Sequence, residues 1–197
     1  YGLWAISDGL GPASARLPRG AMIRYDEWYG WNGKPNEGAR MEVREVAQGI
    51  LKLENDRKPA YRIADSSCWD VDGGPSIAER FMTHGVVMRP SVKGKGSRHN
   101  GYVEVRNRIA GSGEGPLLLA TSNCVHFWRT MTDLVLNDRQ YGIQSEQIDT
   151  DQEDHVSDEV MYACMSRPWM RHVEKALPPP DRWLRFEQPE TESWKTV

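Results

Sequence analysis

The chain has 197 residues, of which 39% are hydrophobic and 27% are charged, and its formal net charge is −3. This size suits one domain with a buried core, and this composition excludes an intrinsically disordered chain. Apolar runs stay well short of the roughly 18 residues that a membrane-spanning helix needs. A net negative charge is unusual for a nucleic-acid-binding protein, although it does not determine the charge of a local groove.

The three cysteines, Cys68, Cys124 and Cys164, lie far apart and in no C-x-x-C arrangement. This pattern favours a reducing compartment and offers no recognisable zinc site. No basic leader precedes the first apolar run, so a secretory signal is not predicted. The apolar strand at the first residue instead predicts a piece of a longer polypeptide.

Strands and helices alternate along the predicted chain after an early hairpin. The predicted strands cover residues 3–7, 21–25, 61–64, 86–88 and 116–120. Helices are predicted over residues 40–54, over 76–84 with Ser76 as cap, over 101–109, after a cap at Asn123, and from Glu153 to just before Pro168. This order predicts a mixed α/β three-layer domain over residues 1–170 and a Pro-containing tail over residues 171–197.

Isolated carboxylates stand at three points where chemistry is expected. Asp8 and Asp65 each follow an apolar strand, and Asp158 lies at the start of the last predicted helix. Clustered carboxylate oxygens are the ligands that Mg²⁺ and Mn²⁺ prefer, and ligands bind at the carboxyl ends of strands in such sheets. An alternative stays open for each residue, because an Asp after a strand often closes a turn and acidic first turns stabilise helices.

A basic, glycine-rich segment runs from Lys93 to His99 and contains Lys95 and Arg98. Arg106 and Arg108 follow on the next predicted helix. Basic side chains and exposed backbone N–H groups contact phosphates without reading base sequence. We therefore expect these five cations to bind DNA, the alternative being an ordinary surface loop.

Taken in order, these segments resemble the nuclease domain of the large terminase subunit of tailed bacteriophages. The resemblance covers about residues 1–167, and the order and spacing of the motifs carry it together. The matching segments are residues 4–9, 61–66, 74–81 with Gly85, 100–106, 123–124 and 154–162. The chain departs from the pattern after Asp8, where residues 11–15 replace a more apolar second strand.

The resemblance implies an RNase H-like three-layer domain with a mixed central β-sheet flanked by helices. It also implies a DNA endonuclease that cuts concatemeric double-stranded DNA with two Mg²⁺ or Mn²⁺ ions, held by Asp8, Asp65 and Asp158. Asp154 is a reserve ligand. His155, three residues before Asp158, would ligate a metal, orient water or shuttle a proton.

In the family, an ATPase motor domain precedes the nuclease in the same polypeptide. No G-x-x-x-x-G-K-[ST] phosphate loop occurs here, so the motor is absent from this chain. The implied partners are double-stranded DNA, the terminase small subunit and the portal or procapsid, in the host cytoplasm and without a membrane. Alternatives are another RNase H-like nuclease, such as a resolvase or transposase core, and a non-catalytic module that docks DNA or procapsid.

Overall fold

The computed structural model describes residues 1–10, 12, 16–34, 37–111, 113–134 and 152–167. The strands in this part are β1 (Gly2–Ile6), β2 (Met22–Glu27), β3 (Ile63–Ala64), β4 (Arg89–Pro90) and β5 (Leu118–Ala120). The helices are α1 (Val43–Glu54), α2 (Ile77–Thr83), α3 (Ser97–Ala110), α4 (Val125–Met131) and α5 (His155–Ser166), with a 3-10 helix over Ser66–Trp69. The predicted mixed α/β class is confirmed, and the tail predicted over residues 171–197 lies outside the described residues.

The strands form two small sheets. In the first sheet β1 pairs antiparallel with β2, and β2 pairs parallel with β5, so the order is β1-β2-β5. The predicted early hairpin is therefore present, and a register shift lies between Leu3 and Trp4. In the second sheet β3 pairs parallel with β4. The first sheet consequently mixes both strand directions.

Local sequence explains most of the helix boundaries. Ser76 caps α2, because its hydroxyl accepts the N–H of Glu79 and the Glu79 carboxylate accepts the N–H of Ser76. This reciprocal arrangement satisfies two N–H groups at the start of the helix. Four predicted starts differ from the structure. Helices α1 and α5 begin at Val43 and His155, three and two residues later than predicted. Helix α3 begins at Ser97, so it includes the end of the basic segment. Helix α4 has Cys124 at its N-cap, and Asn123 instead donates to the Tyr25 carbonyl.

Strand β4 also lies later than predicted. Val86 is fully buried in the small core between α1 and α2, whereas the pairing with β3 starts at Arg89. The apolar residues 86–88 therefore belong to a core segment that precedes β4, and not to the strand itself. None of the helices in the described part combines the length and hydrophobicity that spanning a bilayer requires.

Helix α5 lies at the centre of the larger core. Its buried face packs against α3, α4 and the first sheet. The buried members of this core are Met22, Tyr102, Val105, Leu118, Cys124, Phe127, Val156, Val160, Met161 and Cys164. Because α5 also contacts β3, it connects the two sheets. Side chains near its first turns therefore reach the end of β3.

Candidate functional site

Asp65 and Asp158 approach one another where β3 ends and α5 begins. Asp65 caps the 3-10 helix that follows β3, and its Oδ1 accepts the N–H of Ser67 at 2.7 Å. Tyr162 lies one helical turn after Asp158 and donates its hydroxyl to Oδ2 of Asp65. This contact joins α5 to the end of β3. Two of the three predicted carboxylates therefore belong to one site.

Two cations of the basic segment bind the carboxylates of this site. Lys93 Nζ lies 2.8 Å from Oδ1 of Asp65. Arg98 Nη2 lies 2.7 Å from Oδ2 of Asp154 and 3.3 Å from Oδ1 of Asp158. Asp154, predicted as a reserve ligand, is thus the third carboxylate here. We call Asp65, Asp154 and Asp158 with their two cations the acidic site.

Close packing of α3 on α5 positions the acidic site. Gly101 lies against Met161, where a Cβ atom would overlap the methionine side chain. The next residue, Tyr102, is buried and donates its hydroxyl to Oδ1 of Asp158 at 2.7 Å. Sequence reasoning missed Tyr102 and Tyr162. The spacing of four residues between Asp158 and Tyr162 was a signal, because such residues share a helix face.

The pKa values of Asp65 and Asp158 shift in opposite directions. Burial alone would raise the pKa of Asp65, but the bonds from Lys93, Tyr162 and a backbone N–H outweigh it, and the pKa lies well below its usual range. Burial is the largest cause of a raised pKa at Asp158; the charges of Asp154 and Asp65 add to the rise, and the Tyr102 hydroxyl and Arg98 oppose it. The three carboxylates have two cationic partners, Lys93 and Arg98, so an additional cation would relieve the remaining negative charge.

Asp8 lies elsewhere. It is exposed in the hairpin turn after β1 and accepts the N–H two residues later. Across that hairpin, the Gly20 carbonyl accepts from Arg108, which also donates to the Arg167 carbonyl after α5. Asp158 is in the first turn of α5, about 13 Å along the axis from Arg167. Asp8 is therefore at the opposite end of α5, and the three predicted ligands do not come together.

His155 lies at the edge of the acidic site, beside Asp154. Its side chain is exposed, with Nδ1 at 3.9 Å from Oδ1 of Asp154. It lines a separate cavity of about 230 Å³ beside Tyr29 and Trp31. Within the part of the chain that the structure describes, no contact links His155 to Asp65 or Asp158. His155 and Asp158 do lie on one helix, as their spacing of three residues predicts. However, His155 is the first residue of α5, and its side chain is exposed to solvent.

The other predicted DNA contacts divide into two groups. Arg108 is 2% exposed and donates to Glu104 and to two backbone carbonyls, so it holds α3 in place and is not available to DNA. The prediction failed because Arg108 lies on the inward face of α3. Lys95 and Arg106 are exposed and remain accessible to a phosphate backbone.

A second ion pair holds the residue just before α5. Arg129 binds both carboxylate oxygens of Glu153, at 2.6 and 2.8 Å, and Tyr29 donates to the same group at 2.6 Å. Arg129 is the largest cause of a lower pKa at Glu153, which falls to about 2. This bidentate pair fixes the entry of the chain into α5, next to Asp154.

Glu153→Gln is expected to lower the free energy of unfolding by about 1–3 kcal/mol at pH 7, because a charged hydrogen-bonded pair is lost. A lowered pKa stabilises the fold above the ordinary value of 4.5 and stops doing so as pH falls toward about 2. The difference between wild type and variant should therefore shrink across that range. Urea unfolding at pH 7, 5 and 3 measures it.

The control for this prediction is Glu37→Gln. Glu37 is exposed; it accepts a surface hydrogen bond from Asn32 at 2.8 Å, which Gln can also accept, and its other oxygen lies 3.9 Å from Lys34, a surface pair of little value. Its removal should change stability by less than about 0.5 kcal/mol at every pH. A Glu153→Gln difference that stays constant from pH 7 to pH 3 would contradict the assignment of the low pKa.

The described residues contain no group of three or more His, Cys, Asp and Glu side chains arranged to hold a metal ion. The donor chemistry of the acidic site nevertheless fits a hard divalent cation, since its carboxylate oxygens are the ligands of Mg²⁺ and Mn²⁺. Lys93 and Arg98 balance two of the three carboxylate charges in this structure, and the remaining negative charge points the same way.

Comparisons with protein-family models, with curated proteins and with solved structures found no match. The functional assignment therefore depends on the acidic site and on the sequence motifs.

Proposed function

We propose that the chain is a metal-dependent DNA endonuclease domain with an RNase H-like fold, from the large subunit of a viral DNA-packaging terminase. The observation that carries the proposal is the meeting of Asp65 and Asp158 with a basic segment at the junction of β3 and α5. Phosphodiester hydrolysis needs both negative ligands for cations and positive groups for the phosphate. The acidic site provides both.

Asp65 and Asp158, with Asp154 beside them, would hold the metal. Bound Mg²⁺ or Mn²⁺ supplies charge neutralisation at the phosphate and an activated water. Tyr102 and Tyr162 hold the two carboxylates in place through their hydroxyls. Asp8 and His155 have no role in this proposal, which replaces the ligand set expected from the sequence.

Lys93 and Arg98 act as exchangeable partners of the site. Lys93 is half exposed and Arg98 about one third exposed, so both could contact a phosphate if the carboxylates held a metal. Lys95, just before α3, and Arg106, on α3, are also exposed and would add to this positive surface. Such contacts position a duplex without specifying its base sequence.

The wider role follows from the motif order and remains part of the proposal. The substrate would be concatemeric double-stranded DNA in the host cytoplasm. The partners would be an ATPase motor domain of the same polypeptide, the terminase small subunit and the portal or procapsid. The antiparallel hairpin, the parallel partner strand and the flanking helices support an RNase H-like architecture.

The test is cleavage of supercoiled plasmid by the purified chain with Mn²⁺, Mg²⁺, Ca²⁺ or EDTA. We expect nicked and linear products with Mn²⁺ or Mg²⁺ and no products with EDTA. Thermal unfolding with and without Mn²⁺ is measured in parallel, because a metal at 100 times its Kd adds about 2.7 kcal/mol of stability. Folded protein with neither cleavage nor metal-linked stabilisation would refute the nuclease assignment.

One observation favours a second candidate function. Lys93 and Arg98 already form ion pairs with the carboxylates, as expected of a structural ion-pair network in a module that docks DNA or procapsid without cutting. That module predicts DNA retention without metal-linked stabilisation. A preference for branched DNA or strand transfer would instead indicate a resolvase or transposase core.

A further inference from the structure

An apolar cleft of about 340 Å³ separates β1 from β3. The β1 wall carries Trp4 and Ile6, the β3 wall carries Ile63, and Tyr162 of α5 contributes to the floor. All four side chains remain half-buried although they lie between the two sheets. The cleft therefore interrupts what would otherwise be one sheet over α5.

The β1 wall has the hydrogen-bonding pattern of an open sheet edge. At the edge of β1 that faces β2, the backbone groups of Tyr1 and Ser7 form hydrogen bonds with residues that flank β2. Backbone groups of successive strand residues point to alternate edges, so those of Trp4 and Ile6 point away from β2. Both of these residues line the cleft. β1 thus directs donors and acceptors into it.

The β3 wall has the same property. The carbonyl of Arg62 accepts from the N–H of Arg89 in β4, and the carbonyl of Ala64 accepts from the N–H of Ser91, the residue after β4. By the same alternation, the N–H and C=O groups of Ile63 point away from β4, and Ile63 lines the cleft. Two sheet edges with available backbone groups therefore border one apolar space. An extended peptide is the ligand that matches this arrangement, because it pairs through its own backbone.

Positively charged residues at the rim of the cleft favour a negatively charged ligand. Lys58 and Arg167 line it, both are exposed, and neither forms an ion pair with another residue in the described ranges. The remaining charged lining residues are engaged: Arg62 with Glu54, Arg57 with Asp26, and Glu159 with Arg24. The open rim therefore favours an acidic residue in the ligand.

We propose that the cleft accepts one extended strand from a partner polypeptide, with apolar side chains on alternate residues and an acidic residue at one end. Pairing with β1 and β3 would join the two sheets into one. The length of β1 from Gly2 to Ile6 admits about five residues of such a strand. This proposal does not depend on nuclease activity.

The test supplies the strand in cis. A seven-residue segment of alternating Val and Thr ending in Glu is fused to Tyr1 of the full chain through a six-residue Gly/Ser linker. Tethering makes the local concentration of the strand about millimolar. Hydrogen exchange of the Trp4, Ile6 and Ile63 amides is compared with that of the unfused chain, and the Ala5 amide, which faces β2, is the internal control.

We expect the three cleft amides to exchange at least about tenfold more slowly in the fusion, while Ala5 is unchanged. A matched fusion with Pro at the middle of the added strand should show no slowing, because Pro cannot pair. Equal exchange rates in both fusions would overturn the proposal. Protection in the unfused chain that rises with protein concentration would assign the cleft to a second copy and would also overturn it.

Discussion

Asp65→Asn and Asp158→Asn are each expected to reduce Mn²⁺-dependent plasmid cleavage by at least about 100-fold, because each removes a charge that a divalent cation needs. Asp8→Asn should leave cleavage within about twofold of wild type, since Asp8 is exposed at the far end of α5. Initial rates of nicking under single-turnover conditions measure all three. The sequence motifs alone predicted equal effects at the three positions.

A matched control separates loss of chemistry from loss of fold. Asp56→Asn makes the same substitution at an exposed residue with a φ of 67°, a backbone conformation that Asn adopts readily. It should cut like wild type. Far-UV circular dichroism should show every variant folded. Loss of cleavage in Asp8→Asn with retained fold would return Asp8 to the active centre and refute the ligand set proposed for the acidic site.

Arg24→Met is expected to lower the free energy of unfolding by about 3–5 kcal/mol, because it leaves the buried Glu27 side chain and the partly buried Glu159 side chain without their cation. Arg24 is 1% exposed, binds Glu159, and lies 3.3 Å from Glu27. Its guanidinium also stacks over the rings of Trp4 and Phe127. Chemical denaturation at pH 7 measures the loss, which is a large fraction of the stability of an ordinary domain.

Arg80→Met is the control for this prediction. Arg80 makes an exposed ion pair with Glu42 at 3.6 Å, so its removal should cost less than about 1 kcal/mol. The double variant Arg24→Met/Glu159→Met should be more stable than the sum of the single changes predicts, because it removes both charges together. Additive losses would show that Arg24 and Glu159 contribute independently.

Local patterns predicted the elements that carry the acidic site. Asp65 after an apolar run and Asp158 in an acidic helix start are both where the sequence placed them, and α5 begins two residues after Glu153 as its first turn suggested. Tyr162 was missed, although its spacing of four residues from Asp158 places both on one face of a helix. These features depend on residues within one or two turns of each other, which a sequence displays directly.

The errors arose where the answer depends on distant parts of the chain. Asp8 follows a strand as Asp65 does, but β1 and β3 belong to separate sheets, and only their orientation to α5 shows that Asp8 is far away. Arg108 looked like a free cation because neither Gly20 nor Arg167, whose carbonyls it binds, is near it in sequence. A pattern of charges cannot reveal such partners.

The dependence of the acidic site on α5 has a consequence for synthesis of the protein. Asp65 and its partner Tyr162 are 97 residues apart, and Arg24 is 135 residues from Glu159. A ribosome releases the first half of each pair long before the second half exists. Nascent chains therefore contain Arg24 without Glu159 and Asp65 without Tyr162, and the acidic site is complete only after translation has passed the final turn of α5.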